Sequence, residues 1–140
     1  MNIDLRDPQQ LTRVLARSRI VLGLTAVVLP RLGGSLLGVT PRSGAARFYV
    51  RAAGIRDALL GLGMEMSVRE GRYPQGWVGI AGVADLGDAL AALATRGLTR
   101  RGRMLSLTAA GSAVVHLQLA RQLDELDTGD PGGSALGAQL

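Results

Sequence analysis

Residues 51–63 read RAAGIRDALLGLG, and this stretch decides how the chain folds. Its Gly, Ala and Leu residues belong to an apolar run typical of a helix, yet Arg51, Arg56 and Asp57 place three charges inside that run. In water such charges would lie on the solvated face of the helix, whereas in a membrane they would have to face inward and pair. The medium in which the chain folds is therefore the first question.

The composition narrows the class of protein. A chain of 140 residues suits one domain, and 47% hydrophobic residues with one Trp, two Tyr and one Phe predict a core of small aliphatic side chains. The absence of Cys excludes disulfides, thiolate catalysis and Cys-ligated zinc. The net charge is +5 and every basic residue is Arg. These arginines are spread along the chain without aromatic stacking residues among them, which argues against nucleic-acid binding.

The hydrophobic pattern divides the chain into four segments of helical character, with no alternation typical of strands. Pro30, the pair Gly33-Gly34, a Gly71–Pro74 turn and an arginine-rich stretch at 96–103 separate them. The pattern predicts an all-α, four-helix transmembrane bundle with up-down-up-down topology. The four helices are expected at about 11–29, 45–67, 77–95 and 104–123.

The same reading divides the chain into three parts. We expect an N-terminal segment at 1–10, a four-helix membrane domain at 11–123 and a tail at 124–140. The tail is acidic, rich in Gly and too poor in large apolar residues to order itself, so it is predicted to be disordered. No cleavable signal peptide is predicted at the N-terminus.

The distribution of charge favours a membrane over water. Each segment has about the 20 residues that a span requires, and the third and fourth segments have no continuous charged face. Charges gather instead at the segment ends. We therefore expect a multi-pass protein of the cell membrane, surrounded by the lipid bilayer. The arginine counts on the two sides nearly tie, and the dense 96–103 loop favours that side as cytoplasmic, with both termini outside.

A depth argument explains the charges of the second segment. If the second and third segments form a hairpin about Gly71, Asp57 lies level with Asp85, and Arg56 lies level with the stretch 85–88. An ionisable group deep in a bilayer normally faces inward and pairs. The sequence therefore predicts a buried charge cluster. Its members are Arg51, Arg56, Asp57, Asp85 and Asp88.

Small residues predict which helices meet. Gly54, Ala58 and Gly61 form a shallow face on the second segment, and Ala81 belongs to a matching face on the third, so these two segments are expected to pack closely. Two neighbouring carboxylates disfavour joint ionisation, so a proton is expected on one of the two aspartates of the third segment. The cluster either only fixes helix pairing or admits a proton or small anion.

The fourth segment supplies a polar pair for the core. Ser112 and His116 lie one helical turn apart, and a lone His is more often a hydrogen-bonded core residue than a metal ligand. No paired-His spacing indicates a metal site, no glycine-rich loop follows a strand, and no catalytic Ser, His and acid arrangement is indicated. We expect no metal and no cofactor, and the sequence favours a role that is not enzymatic.

One string resembles a known family. The segment GIRDALLG at 54–61, together with Pro30-Arg31 and the aspartates of the third segment, resembles a family of uncharacterised small four-helix membrane proteins found in actinobacteria. The likeness covers about 18–123. It implies four spans and a membrane address, and it implies no activity.

Three functions remain open at this point. The first is an accessory or assembly subunit, in which the buried Arg/Asp cluster joins the second and third helices and the partner is another membrane protein or a second copy. The second is a small proton- or anion-linked membrane carrier. The third is a soluble helical interaction domain.

Overall fold

The computed structural model describes residues 7–36, 40–72, 74–96 and 100–128, of which 91% are helical. There is no strand within these ranges, so the all-α prediction is confirmed. Five helices are described, of which the short second one was not predicted and the four long ones correspond to the four predicted segments. They are α1 (Pro8–Val28), α2 (Pro30–Leu36), α3 (Gly44–Glu70), α4 (Pro74–Ala94) and α5 (Arg100–Thr128).

The helix ends follow local sequence signals. A carboxylate oxygen of Asp7 accepts from the backbone N–H of Gln9, and Pro8 occupies the first helical position, so α1 begins three residues before the predicted start at Leu11. The hydroxyl of Ser43 caps α3 in the same way. At the other end of α3, Gly71 adopts a left-handed conformation with φ of 64° that glycine tolerates at no steric cost.

The predicted break at Gly33-Gly34 was wrong, because both glycines lie inside α2. The chain leaves α1 at Leu29, and the N–H of Gly33 then donates to the carbonyl oxygen of Leu29 at 2.9 Å. A Cβ atom at Gly33 would collide with the backbone of Ala26. The glycine therefore allows α2 to fold back against α1.

The C-terminal boundary also differs from the expectation. Helix α5 runs to Thr128, so 124–128, the first part of the predicted disordered tail, is helical. These five residues include no Gly or Pro, and the first glycine of the tail is Gly129. The remainder of the predicted tail, 129–140, and residues 1–6 of the predicted N-terminal segment lie outside the described residues.

Helices α1 and α3 pack most closely, as an antiparallel pair. A Cβ atom at Gly23 would lie 2.5 Å from the carbonyl oxygen of Gly54, and one at Gly61 would lie 2.5 Å from the carbonyl oxygen of Ala16. The backbones are therefore in contact along this seam. Gly54, Ala58 and Gly61 were predicted to face α4. That prediction was wrong, because α1 carries the complementary stripe of small residues.

Helices α4 and α5 form the second close antiparallel pair, and fewer contacts join α3 to α4 and α1 to α5. Gly82 brings α4 within van der Waals reach of Ala113 and His116 on α5. Between α3 and α4, the ring of Trp77 lies over Gly63. The predicted packing residue Ala81 is fully buried in a core of small and aliphatic residues: Ala16, Leu60, Met64, Val78, Ala81, Leu119 and Leu123.

Large apolar side chains lie on the outside of every long helix. Val21 on α1, Leu59 on α3, Leu90 on α4 and Val114 on α5 are each more than half exposed. Among the described helices, α4 is the one that is long and apolar enough to cross a membrane by itself. The other long helices of the described ranges do not meet this criterion of length and hydropathy.

Candidate functional site

A chain of polar side chains runs through the middle of the helix assembly and links all four long helices. We call it the central network. Its members are Arg19 of α1, Arg56 and Asp57 of α3, Asp85 and Asp88 of α4, and Ser112 and His116 of α5.

Arg19 is the hub of the network and is 8% exposed. Its Nη1 donates to Asp57 Oδ1 at 3.1 Å and its Nη2 donates to Asp85 Oδ2. Its Nε faces His116 Nε2 at 3.5 Å, and Nη2 also lies 3.5 Å from the carbonyl oxygen of Ala81. The guanidinium therefore reaches α3, α4 and α5 from a position on α1.

The sequence of α1 turns Arg19 inward. Ala16, Arg19, Gly23 and Ala26 are all buried, and their spacing of three, four and three residues places them on one face of the helix. The small residues let α3 approach, and the long side chain of Arg19 extends past them to the centre. An Arg at this place needs several acceptors because it cannot lose its proton.

Asp85 and His116 meet on the far side of the hub. The hydroxyl of Ser112 donates to Asp85 Oδ2 at 2.6 Å, and His116 Nδ1 lies 2.8 Å from the carbonyl oxygen of Ser112. A carbonyl oxygen only accepts, so Nδ1 carries the hydrogen, and Nε2 is left as an acceptor facing Arg19. These partners assign His116 as a neutral imidazole that is 2% exposed.

Arg56 and Asp88 form the outer end of the network. The guanidinium donates two hydrogen bonds to the two carboxylate oxygens, at 2.8 and 2.6 Å, which is the bidentate geometry of a strong pair. The pair is partly open to the outside, since the side chains of Arg56 and Asp88 are 36% and 49% exposed. It therefore sits at the rim between α3 and α4.

Asp57 connects the two arginines, because its Oδ1 accepts from Arg19 and from Arg56, each at 3.1 Å. The two guanidinium groups and three carboxylates give the network a formal charge of −1 while its histidine is neutral. Asp85 and Asp88 bind different arginines. Asp57 shares both of these arginines, so two cations hold three carboxylates. The proton expected on one of the two aspartates of α4 stays a prediction.

One predicted member lies elsewhere. Arg51 is exposed and its Nε donates to the carbonyl oxygen of Val27 at 3.1 Å, at the end of α1. Arg51 and Arg56 are five residues apart, which separates them by about 140° around a helix, so they do not share a face.

Arg19 was missed, because it was counted among the arginines on the side of the termini. The sequence does contain a signal for it, because Arg19 shares one helical face with the small residues Ala16 and Gly23.

A second polar group was also missed. The side chain of Glu65 on α3 is buried, and its Oε1 accepts from Arg17 at 3.3 Å and from Arg69 at 3.0 Å. Both arginines are well exposed, so they cover the carboxylate from outside. Its Oε2 is buried without a hydrogen-bond partner within the described residues. The ion pair between Arg17 and Glu65 ties α1 to α3 near the C-terminal end of α3.

Little empty space adjoins the network beside Asp57. The cavity that touches Asp57 has a volume of about 40 Å³, which is space for only a few water molecules. Within the described ranges no group of three or more His, Cys, Asp or Glu residues is arranged to hold a metal ion.

No family model, curated protein or solved structure matches this chain.

Proposed function

We propose that the protein is a multi-pass membrane protein, with α1, α3, α4 and α5 crossing the bilayer up-down-up-down, and that it serves as an accessory or assembly subunit. The observation that carries this proposal is an inversion of polarity. Arg19, Asp85 and His116 are buried, while large aliphatic side chains are exposed along all four helices. A protein that folds in water normally exposes its charged residues and buries most of its large apolar ones.

Helix lengths and the position of the network agree with a bilayer. The shortest of the four helices has 21 residues, which at about 1.5 Å per residue matches a hydrocarbon core about 30 Å thick. Arg56 lies seven residues from Tyr49, which is 70% exposed, and seven residues from Gly63, which supports Trp77. The network thus lies midway between two aromatic positions that are about 20 Å apart along α3, near the depth at which unpaired charge would cost most.

Membrane insertion is tested by fractionation and by labelling. The full chain should remain with membranes after alkaline carbonate extraction and should require detergent for release. Because the sequence has no Cys, Ser43→Cys and Glu70→Cys each introduce a single thiol, one at each end of α3. An impermeant maleimide added to intact cells should label only one of the two variants, and the other should be labelled only after the membrane is permeabilised. Release into buffer without detergent would favour the soluble helical interaction domain instead.

The assembly role rests on the outer end of the network. Lipid tails cannot solvate the partly exposed Arg56–Asp88 pair, whereas a neighbouring helix can. Gly87 and Ala91 beside this pair are exposed, and a Cβ atom at Gly87 would meet nothing within 4 Å, so the packing of this chain does not require glycine there. Small residues and polar groups together suit close approach of another transmembrane helix. The partner is another membrane protein or a second copy of this chain.

Two glycine variants test this face. Gly87→Leu should leave the fold intact and abolish the oligomer or the co-purifying subunit, because the new side chain fills the proposed contact. Gly111→Leu on α5 is the matched control, since Gly111 also has nothing within 4 Å of its Cβ position. Both variants are compared by cross-linking in membranes and by light scattering in detergent. Equal assembly by the two variants would contradict the role of the α3–α4 face.

One observation favours the carrier as a second candidate. The network has a formal charge of −1 with neutral His116, so uptake of one proton would make it neutral. The small cavity beside Asp57 argues for the assembly role, because a transported anion needs more space. Proteoliposomes with a trapped pH dye discriminate the two. Proton flux that Asp85→Asn abolishes, in a variant that still assembles, would favour the carrier.

A further inference from the structure

A cleft of about 530 Å³ opens where the end of α1, the start of α2 and the start of α3 meet. It lies away from the central network, and neither the sequence pattern nor the proposed function explains it. Its lining combines three arginine side chains with several aliphatic ones. The lining residues are Val28, Leu29, Pro30, Arg31, Leu32, Gly44, Arg47 and Arg51.

The positive charge of this cleft is not neutralised by the protein. Arg31, Arg47 and Arg51 form no ion pair with a carboxylate in the part of the chain that the structure describes. The sequence explains this, because no Asp or Glu occurs between Asp7 and Asp57. The hydrogen bond from Arg51 Nε to the carbonyl oxygen of Val27 fixes one of the three guanidinium groups at the cleft wall.

Three aliphatic residues of the lining are also exposed. Val28 is 70% exposed, Leu29 53% and Leu32 50%. A ligand that satisfies both kinds of lining residue carries a negative group and a hydrocarbon chain. Guanidinium forks bind phosphate oxygens in pairs, which favours phosphate over a carboxylate as the negative group.

We propose that this cleft binds the phosphate headgroup of an anionic phospholipid, with the acyl chains lying against the exposed aliphatic residues of the lining. The proposal rests on the membrane insertion proposed above. The distribution of charge along the chain also agrees with it, because neither 8–56 nor 89–123 contains an acidic residue. These stretches include the ends of α1 and α4 and the starts of α3 and α5, which lie at the end of the molecule where the cleft opens. That end therefore suits the leaflet rich in anionic lipid.

The test compares lipid binding by the full chain in nonionic detergent. Native mass spectrometry should show retention of phosphatidylglycerol in preference to phosphatidylcholine. The variant R31Q/R47Q/R51Q should bind phosphatidylglycerol at least about tenfold more weakly, since loss of one charge-assisted hydrogen bond accounts for that factor. The control R42Q/R96Q/R100Q removes the same charge from exposed positions that do not line the cleft, and it should bind like the parent.

Three outcomes would overturn the proposal. Equal binding by the cleft variant and its control would show that the cleft is not the site. Equal retention of the two lipids would remove the preference for negative charge. Displacement of phosphatidylglycerol by millimolar glycerol 3-phosphate or inorganic phosphate would assign the cleft to a soluble phosphate. Carbonate extraction of each variant is read separately, so a failure of membrane insertion is distinguished from a failure of the lipid site.

Discussion

Arg19 of α1 and Asp85 of α4 form an ion pair across the centre of the helix assembly, with each side chain 10% exposed. The guanidinium also binds Asp57, and Ser112 donates a second hydrogen bond to Asp85. One cation thus holds carboxylates from two helices, and a hydroxyl from a third supports them. Removal of any member takes at least one hydrogen bond from a buried polar group, which is costly in a medium of low dielectric constant.

Arg19→Gln should have the largest effect. The variant leaves Asp85 without its guanidinium, and we expect the free energy of unfolding to fall by about 3–5 kcal/mol, as for other broken buried pairs. Unfolding in mixed detergent micelles, followed by circular dichroism, measures the change. Arg121→Gln, an exposed position near the end of α5, is the control and should change the free energy by less than about 0.5 kcal/mol. Similar effects of both substitutions would contradict the hub role.

Ser112→Ala should destabilise the protein less than loss of the arginine. It removes one hydrogen bond to a charged acceptor, for which we expect a loss of about 1.5–3 kcal/mol. The guanidinium of Arg19 still binds Asp85 in this variant, so the fold should persist. The same unfolding assay tests it, and Ser18→Ala on the exposed face of α1 provides a comparison that should be nearly neutral. A neutral Ser112→Ala would show that Asp85 does not depend on this donor.

Gly23→Ala should be destabilising although alanine favours helices. A Cβ atom there would lie 2.5 Å from the carbonyl oxygen of Gly54 and 2.6 Å from the backbone nitrogen of Ala58, so α1 and α3 would have to separate. We expect a cost of about 1–3 kcal/mol, as for other overpacked sites. Gly111→Ala, where the Cβ meets nothing within 4 Å, should instead stabilise α5 by up to about 1 kcal/mol. Thermal unfolding of both variants measures the two changes in stability, which should have opposite signs. A stabilising Gly23→Ala would refute the backbone contact.

The outer pair should respond to a charge exchange. Arg56→Asp and Asp88→Arg each place like charges together and should impair assembly in the membrane cross-linking assay. The double exchange restores opposite charges at the rim and should recover part of the assembly, although Asp57 then loses its bond from residue 56. A double variant no better than the worse single one would argue against direct pairing of residues 56 and 88 within the functional assembly.

Much of the local structure could be predicted from the sequence. The helical periodicity of the apolar residues indicates an all-helical chain, and the structure agrees. The breaks between its segments were predicted from Pro30, Gly71 and the arginine-rich stretch. Counting residues from the turn at Gly71 also predicts which residues of α3 and α4 lie at the same level along the two helices. Arg56 was expected level with the stretch 85–88, and the structure has it bound to Asp88. Depth follows from sequence because the rise per residue in a helix is constant.

What the sequence left open is the choice of neighbour for each helix face. The face formed by Gly54, Ala58 and Gly61 is equally able to receive α1 or α4, and the tertiary structure selects α1, because Ala16 and Gly23 there allow backbone contact. That selection also brings Arg19 to the centre. Helix type and depth depend on residues close in the chain, and so the sequence by itself determined them. Rotation of each helix, and hence which charges meet, depends on packing between segments far apart in the chain, and only the tertiary structure decided it.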